Sequence, residues 1–172
     1  VPESKIHVVP LAYEPPQREQ IEKETTSDLL RILWLGTVEL RKGIQYLVGA
    51  ARKLKHNSVE FSVVGPIDIT EKAVSSAPPN MTFHGRVPRD DVHEHYRRAD
   101  VFVLPTLSDG FALTQLEAMA HGLPVIVTPN CGRVIRDGRE GRLIPAYDAD
   151  ALAEVIADLN DHRERLNEMG RQ

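Results

Sequence analysis

Residues 101–120 read Val101-Phe102-Val103-Leu104-Pro105-Thr106-Leu107-Ser108-Asp109-Gly110-Phe111-Ala112-Leu113-Thr114-Gln115-Leu116-Glu117-Ala118-Met119-Ala120. Four consecutive apolar residues stopped by a proline describe a strand covered on both faces. The loop that follows holds a glycine and opens into a helical pattern. Working outward, the same unit recurs. Residues 30–35 form an apolar run ending at Gly36, with a helical pattern over 44–54. Residues 59–64 end at Gly65-Pro66, with a weaker helix over 70–75, and 81–84 end at Gly85, with a helix over 89–98 introduced by Pro88. The last strands are expected at 124–128 and 142–144, and Asp150 is expected to cap a final helix running to Asn160. Strand–helix alternation with continuously apolar strands predicts an α/β fold, a Rossmann-like doubly wound parallel sheet of about six strands. Ligands in such sheets bind at the carboxyl ends of the strands near the point where the strand order reverses. The loops at 36–43, 65–68, 85–88 and 105–112 are therefore the places to look.

Composition narrows the function classes. The chain has 172 residues, 41% hydrophobic and 27% charged, enough for one domain with a real core. Twenty-one basic and 25 acidic residues give a net charge of -4, spread without runs, so there is no electrostatic footprint for nucleic acid. The single cysteine, Cys131, rules out an intrachain disulfide. No apolar run reaches the roughly 20 residues of a membrane helix, and the first residues lack the pattern of a signal peptide. Lys5-Ile6-His7-Val8-Val9-Pro10 reads as a strand, and residues 14–27 as a polar, proline-rich linker. The domain division is thus 1–27, a strand and linker, and 28–172, the α/β domain. The charged stretch from Asp161 to Gln172 reads as a helix still in progress, and both ends are expected to be cut points in a longer chain.

Three segments carry chemistry. Behind the strand at 101–104, the first turn of the coming helix leaves backbone amides unpaired, so Gly110, Phe111, Ala112 and Leu113 can offer N–H groups to an anion. Glu117 lies about a turn further in, beside an expected buried stripe of Leu113, Leu116 and Ala120. A carboxylate beside a diphosphate repels it, so its useful partners are neutral hydroxyls such as a ribose diol. Asp109, eight residues before Glu117, could hold the turn or a sugar hydroxyl. The bland reading is a turn at Asp109-Gly110 and a solvated Glu117. The second segment is Gly36-Thr37-Val38-Glu39-Leu40-Arg41-Lys42-Gly43, where Lys42 can bring a point charge to a diphosphate; alternatively its charges are simply solvated. In the third, Phe83-His84-Gly85-Arg86-Val87-Pro88, the strand-end backbone could contact a flat base, or be an ordinary turn.

In order and spacing these segments resemble the C-terminal domain of the group 1, or family 4, retaining glycosyltransferases, one half of the two-domain GT-B fold. The resemblance also takes in Lys5-Ile6-His7-Val8-Val9-Pro10, Val63-Val64-Gly65, Ala99-Asp100-Val101-Phe102-Val103-Leu104-Pro105, Glu117-Ala118-Met119-Ala120-His121-Gly122-Leu123-Pro124-Val125-Ile126 and Asp137-Gly138-Arg139-Glu140-Gly141-Arg142-Leu143-Ile144-Pro145. It implies that 1–27 is the inter-domain crossing strand and linker and 28–172 the donor nucleotide-sugar-binding domain. It implies transfer of a sugar from a UDP-, GDP- or ADP-sugar to an acceptor hydroxyl, on a carbohydrate or lipid-linked acceptor, with an N-terminal domain of the same chain closing the site. By that resemblance Glu117 holds the ribose, and Gly110, Phe111, Ala112 and Leu113 face the sugar and diphosphate. Lys42 neutralises the leaving diphosphate, with Gly36 and Thr37 in the same loop, and Arg86 and Val87 lie in the base-binding loop. Lys42, Asp109 and Glu117 are the expected catalytic set. The protein meets the leaving group's charge, so neither metal nor resident cofactor is expected. The implied location is the cytoplasm, free or peripheral to the membrane.

Three positions depart from the family pattern. Asp109 stands where a glutamate is usual, Thr37 where an arginine is usual, and Arg133 where many members carry a glutamate. Arg41 is a candidate for the missing charge. The departures at Thr37 and Asp109 leave open a non-catalytic nucleotide-sugar-binding module, and a GT-B-like epimerase is a further alternative. His93-Glu94-His95 invites a metal reading, but histidines two apart on a helix point to different sides. Cys131 has no partner implied by sequence and reads as a structural thiol.

Overall fold

The computed structural model describes residues 28–170, so the expected crossing strand and linker lie outside the described residues. The elements are β1 (Leu30–Leu35), α1 (Ile44–Lys53), β2 (Val59–Val64), α2 (Glu71–Ser75), β3 (Met81–Gly85), α3 (Val92–Arg98), β4 (Val101–Leu104), α4 (Leu113–Ala120), β5 (Val125–Val127), β6 (Gly141–Leu143), α5 (Ala149–Asp161) and α6 (Arg163–Gly170). All six strands are parallel, in the order β3-β2-β1-β4-β5-β6. This is the doubly wound, Rossmann-like sheet that the alternation predicts. The order reverses between β1 and β4, and the loops leaving those two strands are residues 36–43 and 105–112.

The central strands are apolar on both faces because helices cover both. Ile32, Leu33 and Trp34 of β1 and all of β4 are buried, and Leu47, Ala50 and Ala51 of α1 close one side. Each large apolar side chain so covered contributes about 1.5–3 kcal/mol, which fixes β1 and β4 as a rigid floor beneath the two loops. No helix among the described residues is long and apolar enough to cross a membrane.

Local details correct the sequence reading. The cap of α5 is Asp148, which accepts from the N–H groups of Asp150 (3.0 Å) and Ala151 (2.9 Å). The helix begins earlier than expected, so Asp150 falls in its first turn and pairs with Lys53 at 2.6 Å. A 3-10 turn, Arg89–Asp91, precedes α3. The charged C-terminal stretch forms α6, separated from α5 at His162.

Candidate functional site

The two loops at the reversal point are built as one unit. Gly43 ends the first with φ 77°, the left-handed region, and a Cβ there would stand 1.9 Å from the Pro105 carbonyl oxygen. Only glycine lets the loops come this close. Beside it, the Arg41 carbonyl accepts from Leu107 N–H (2.9 Å) and Thr106 Oγ1 (3.2 Å). The Arg41 guanidinium donates to Ser108 O (2.7 Å) and Glu39 Oε1 (2.5 Å), so this side chain ties the loops together. One consequence is that Lys42 Nζ meets Asp109 Oδ2 in an ion pair, both side chains more than four-fifths covered.

A third loop holds the second from below. Asp109 N–H donates to Asn130 O (2.9 Å), Asn130 Nδ2 to Leu107 O (3.0 Å), and Thr128 Oγ1 to Thr106 O (2.6 Å). Gln115, a buried polar residue of α4, donates to Cys131 O at 2.7 Å, and the Cys131 thiol donates to Thr128 O at 3.2 Å. Burial, with the nearby Asp109 charge adding to it, pushes this thiol up to about 11, so it is a structural group.

The four expected amides divide. Ala112 N–H donates to Cys131 O (3.2 Å), so it serves the loop and not a ligand. Those of Gly110, Phe111 and Leu113 have no protein acceptor among the described residues. A Cβ built on Gly110 meets nothing within 4 Å, so the approach to this backbone is open. Leu113 is 42% exposed, which overturns the expected buried stripe: the buried positions of α4 are Gln115 and Ala118. The helix is anchored by a hydrogen-bonded glutamine rather than by leucines, a solution that apolar periodicity cannot reveal.

Glu117 faces α3. Its Oε2 accepts from the hydroxyl of Tyr96 at 2.8 Å, a residue that sequence reasoning passed over. The Tyr96 ring is 1% exposed. It lies against Phe102 (centroids 6.2 Å apart) and stacks on His121 (4.8 Å, interplanar angle 20°). His121 Nδ1 is 2.7 Å from the Glu117 carbonyl, which can only accept, so Nδ1 carries the proton. His121 Nε2 then accepts from His93 Nδ1 at 3.1 Å. His95 lies instead against His84, with centroids 5.1 Å apart, so the two helix histidines face different neighbours.

Gly36 ends β1 at the reversal point, its N–H donating to Val64 O (3.0 Å), and Thr37 beside it is exposed. Arg86 is exposed and Val87 half-buried just past β3, two strands from β1 and hence about 10 Å away along the sheet edge. Arg133 is exposed next to the third loop.

The model of the family described as glycosyl transferases group 1 matches residues 30–162. The chain belongs to this family. It is 32% identical to the D-inositol 3-phosphate glycosyltransferase of Arthrobacter sp. (strain FB24), over 93% of this chain and 41% of that protein. Among solved structures, sucrose-phosphate synthase from Thermosynechococcus elongatus superposes with a TM-score of 0.75 at 28% identity, covering 83% of this chain and 39% of the other. Anabaena HepE, solved with UDP and glucose, gives a TM-score of 0.73 at 17% identity over 83% of this chain and 42% of its own, a likeness of fold. The chain spans about two fifths of the length of the curated relatives it matches. Its fold is the Rossmann-like half of the GT-B architecture.

Proposed function

We propose that this chain is the donor-binding domain of a retaining glycosyltransferase, which moves a sugar from a nucleoside-diphosphate sugar to an acceptor hydroxyl without a metal. The observation that carries the reading is the placement of Lys42 and of the amides of Gly110, Phe111 and Leu113, which have no acceptor among the described residues, on the two loops at the β1–β4 reversal. A helix N-terminus and an ammonium on opposite sides of that point form a cradle for an anion, and a diphosphate is the anion a sugar donor brings. Glu117, a turn deeper, would take the ribose hydroxyls, and the backbone at Arg86 and Val87 the base.

In this reading the bond between anomeric carbon and diphosphate oxygen breaks as the acceptor oxygen bonds to the anomeric carbon from the same face, and the acceptor's hydroxyl proton passes to the departing phosphate oxygen. Lys42 and the amides stabilise the charge that gathers on the leaving phosphate, in the way preorganised donors stabilise any developing anion. No enzyme nucleophile is required. Asp109 would hold Lys42 in direction and take a donor-sugar hydroxyl. A second domain would bind the acceptor and exclude water. Nucleotide sugars are made in the cytoplasm, so the enzyme would work there, free or at a membrane surface.

The test is turnover of UDP-, GDP- and ADP-sugars by the full-length enzyme with a carbohydrate and lipid acceptor extract, followed by mass spectrometry. Release of one diphosphate, sugar gained by an acceptor and a fall of about 10²–10³-fold in Lys42→Ala are expected. Binding without transfer would favour a non-catalytic module, and an isomerised donor formed without acceptor would point to an epimerase.

A further inference from the structure

Tyr96 is a buried ring that reaches the candidate site with a polar atom. It descends from α3, fills the space between β4 and α4, and ends in a hydroxyl 2.8 Å from Glu117 Oε2. The same hydroxyl is 3.3 Å from Thr114 O, a longer contact to a neutral oxygen, so the carboxylate is the stronger acceptor. A phenylalanine would fill the same volume and make the same ring contacts. What the hydroxyl adds to that packing is its hydrogen bonding, the shorter contact being to the Glu117 carboxylate.

Glu117 is held at both ends. Its carbonyl takes the Nδ1–H of His121 at 2.7 Å, and His121 stacks on the Tyr96 ring. A glutamate on a helix otherwise has three rotatable bonds. Here Oε2 is pinned from the α3 side, and Oε1 makes no hydrogen bond among the described residues. A carboxylate with one oxygen fixed and the other unengaged presents its remaining lone pairs in a set direction.

We infer that Tyr96 is the positioning residue for Glu117, aiming its carboxylate so that the site selects a ribonucleoside diphosphate over its 2′-deoxy counterpart. The inference rests on the reading in which Glu117 receives the ribose hydroxyls. Selection of this kind comes from a built acceptor left unpaired when a hydroxyl is missing, and it weakens when the acceptor wanders. Tyr96 touches no substrate in this arrangement. Its effect passes through Glu117.

The experiment measures dissociation constants of the full-length protein for UDP, GDP and ADP and for their 2′-deoxy forms, in wild type, Tyr96→Phe and Glu117→Ala. With the nucleotide that binds, Tyr96→Phe is expected to shrink the ratio of deoxy to ribo constants about 3- to 10-fold, and Glu117→Ala to bring it close to one. An unchanged ratio in Tyr96→Phe, with a collapsed ratio in Glu117→Ala, overturns the positioning role while leaving the donor reading intact. Equal weakening of both nucleotides by Tyr96→Phe also overturns it, since that is what a merely structural role does. A full ratio in Glu117→Ala removes the premise. Should Tyr96→Phe not fold, difluorotyrosine at position 96 keeps the ring and strengthens the donor: a changed ratio supports the role and an unchanged one overturns it.

Discussion

Lys42 and Asp109, 67 residues apart in sequence, join their side chains across the β1–β4 reversal of the sheet. The pair aims the ammonium, and it also sets a carboxylate close to where the proposed diphosphate would lie. Those two effects oppose each other for binding of a bare diphosphate, whereas a donor sugar offers the carboxylate a hydroxyl.

Asp109→Asn is therefore expected to leave affinity for the nucleoside diphosphate equal or higher, because a negative charge beside an anion has been removed. Turnover of the whole donor should fall. Calorimetry and steady-state kinetics on the same variant check the two halves, and a loss of diphosphate affinity would contradict the assignment.

Gly43→Ala tests the architecture beneath that pair. The positive φ costs a non-glycine residue about 1–3 kcal/mol, and the new Cβ would also meet the Pro105 carbonyl. The midpoint of urea unfolding should drop by at least that equivalent. An unchanged midpoint would mean that the two loops are not locked together at this contact.

Acid should weaken the fold through half-buried histidines. His95 and His121 lie below the ordinary imidazole value, burial being the largest cause in each; His84 and Arg98 add for His95, and His93 and Arg97 for His121. The native state then binds fewer protons than the unfolded chain in the window just below pH ~6.5, so this stability is present above that value and is lost as pH falls through the window. Glu140, held near 2 chiefly by its hydrogen bonds from Arg136, acts in a lower window, from the unfolded value of about 4.3 downwards. Melting temperature should fall between about pH 7 and about pH 5.5. A flat or rising melting temperature there would be evidence against the half-buried, neutral state of these rings.

Cys131 should resist thiol reagents in the native protein at neutral pH, being buried with its thiol raised to about 11. Labelling with iodoacetamide, followed by mass spectrometry, should be slow until denaturant is added; rapid native labelling would show that the third loop opens.

The sheet was legible because β1 and β4 are apolar on both faces and each ends at a glycine or proline, a signal carried by the local sequence. The reversal-point loops, with Lys42 and the 110–113 amides, followed from that topology. What stayed hidden depends on contacts between elements. Nothing in the spacing of Tyr96 and Glu117 ties α3 to α4, and Tyr96 reads simply as an apolar position of its helix. The direction of Arg41 is set by Glu39 and the Ser108 carbonyl, which only the folded loops bring together. The loss of Ala112 N–H to Cys131, and the burial of Gln115 in place of Leu113, both come from the 128–131 loop, whose position sequence periodicity does not encode.

The donor-site claim meets its most direct test in calorimetric titration of the protein with UDP, GDP and ADP, in EDTA and then in magnesium, for wild type and Glu117→Ala. One nucleotide should bind equally with and without metal, and Glu117→Ala should weaken it about 10- to 100-fold. Binding that requires magnesium, or an affinity indifferent to Glu117 in a folded variant, would contradict it.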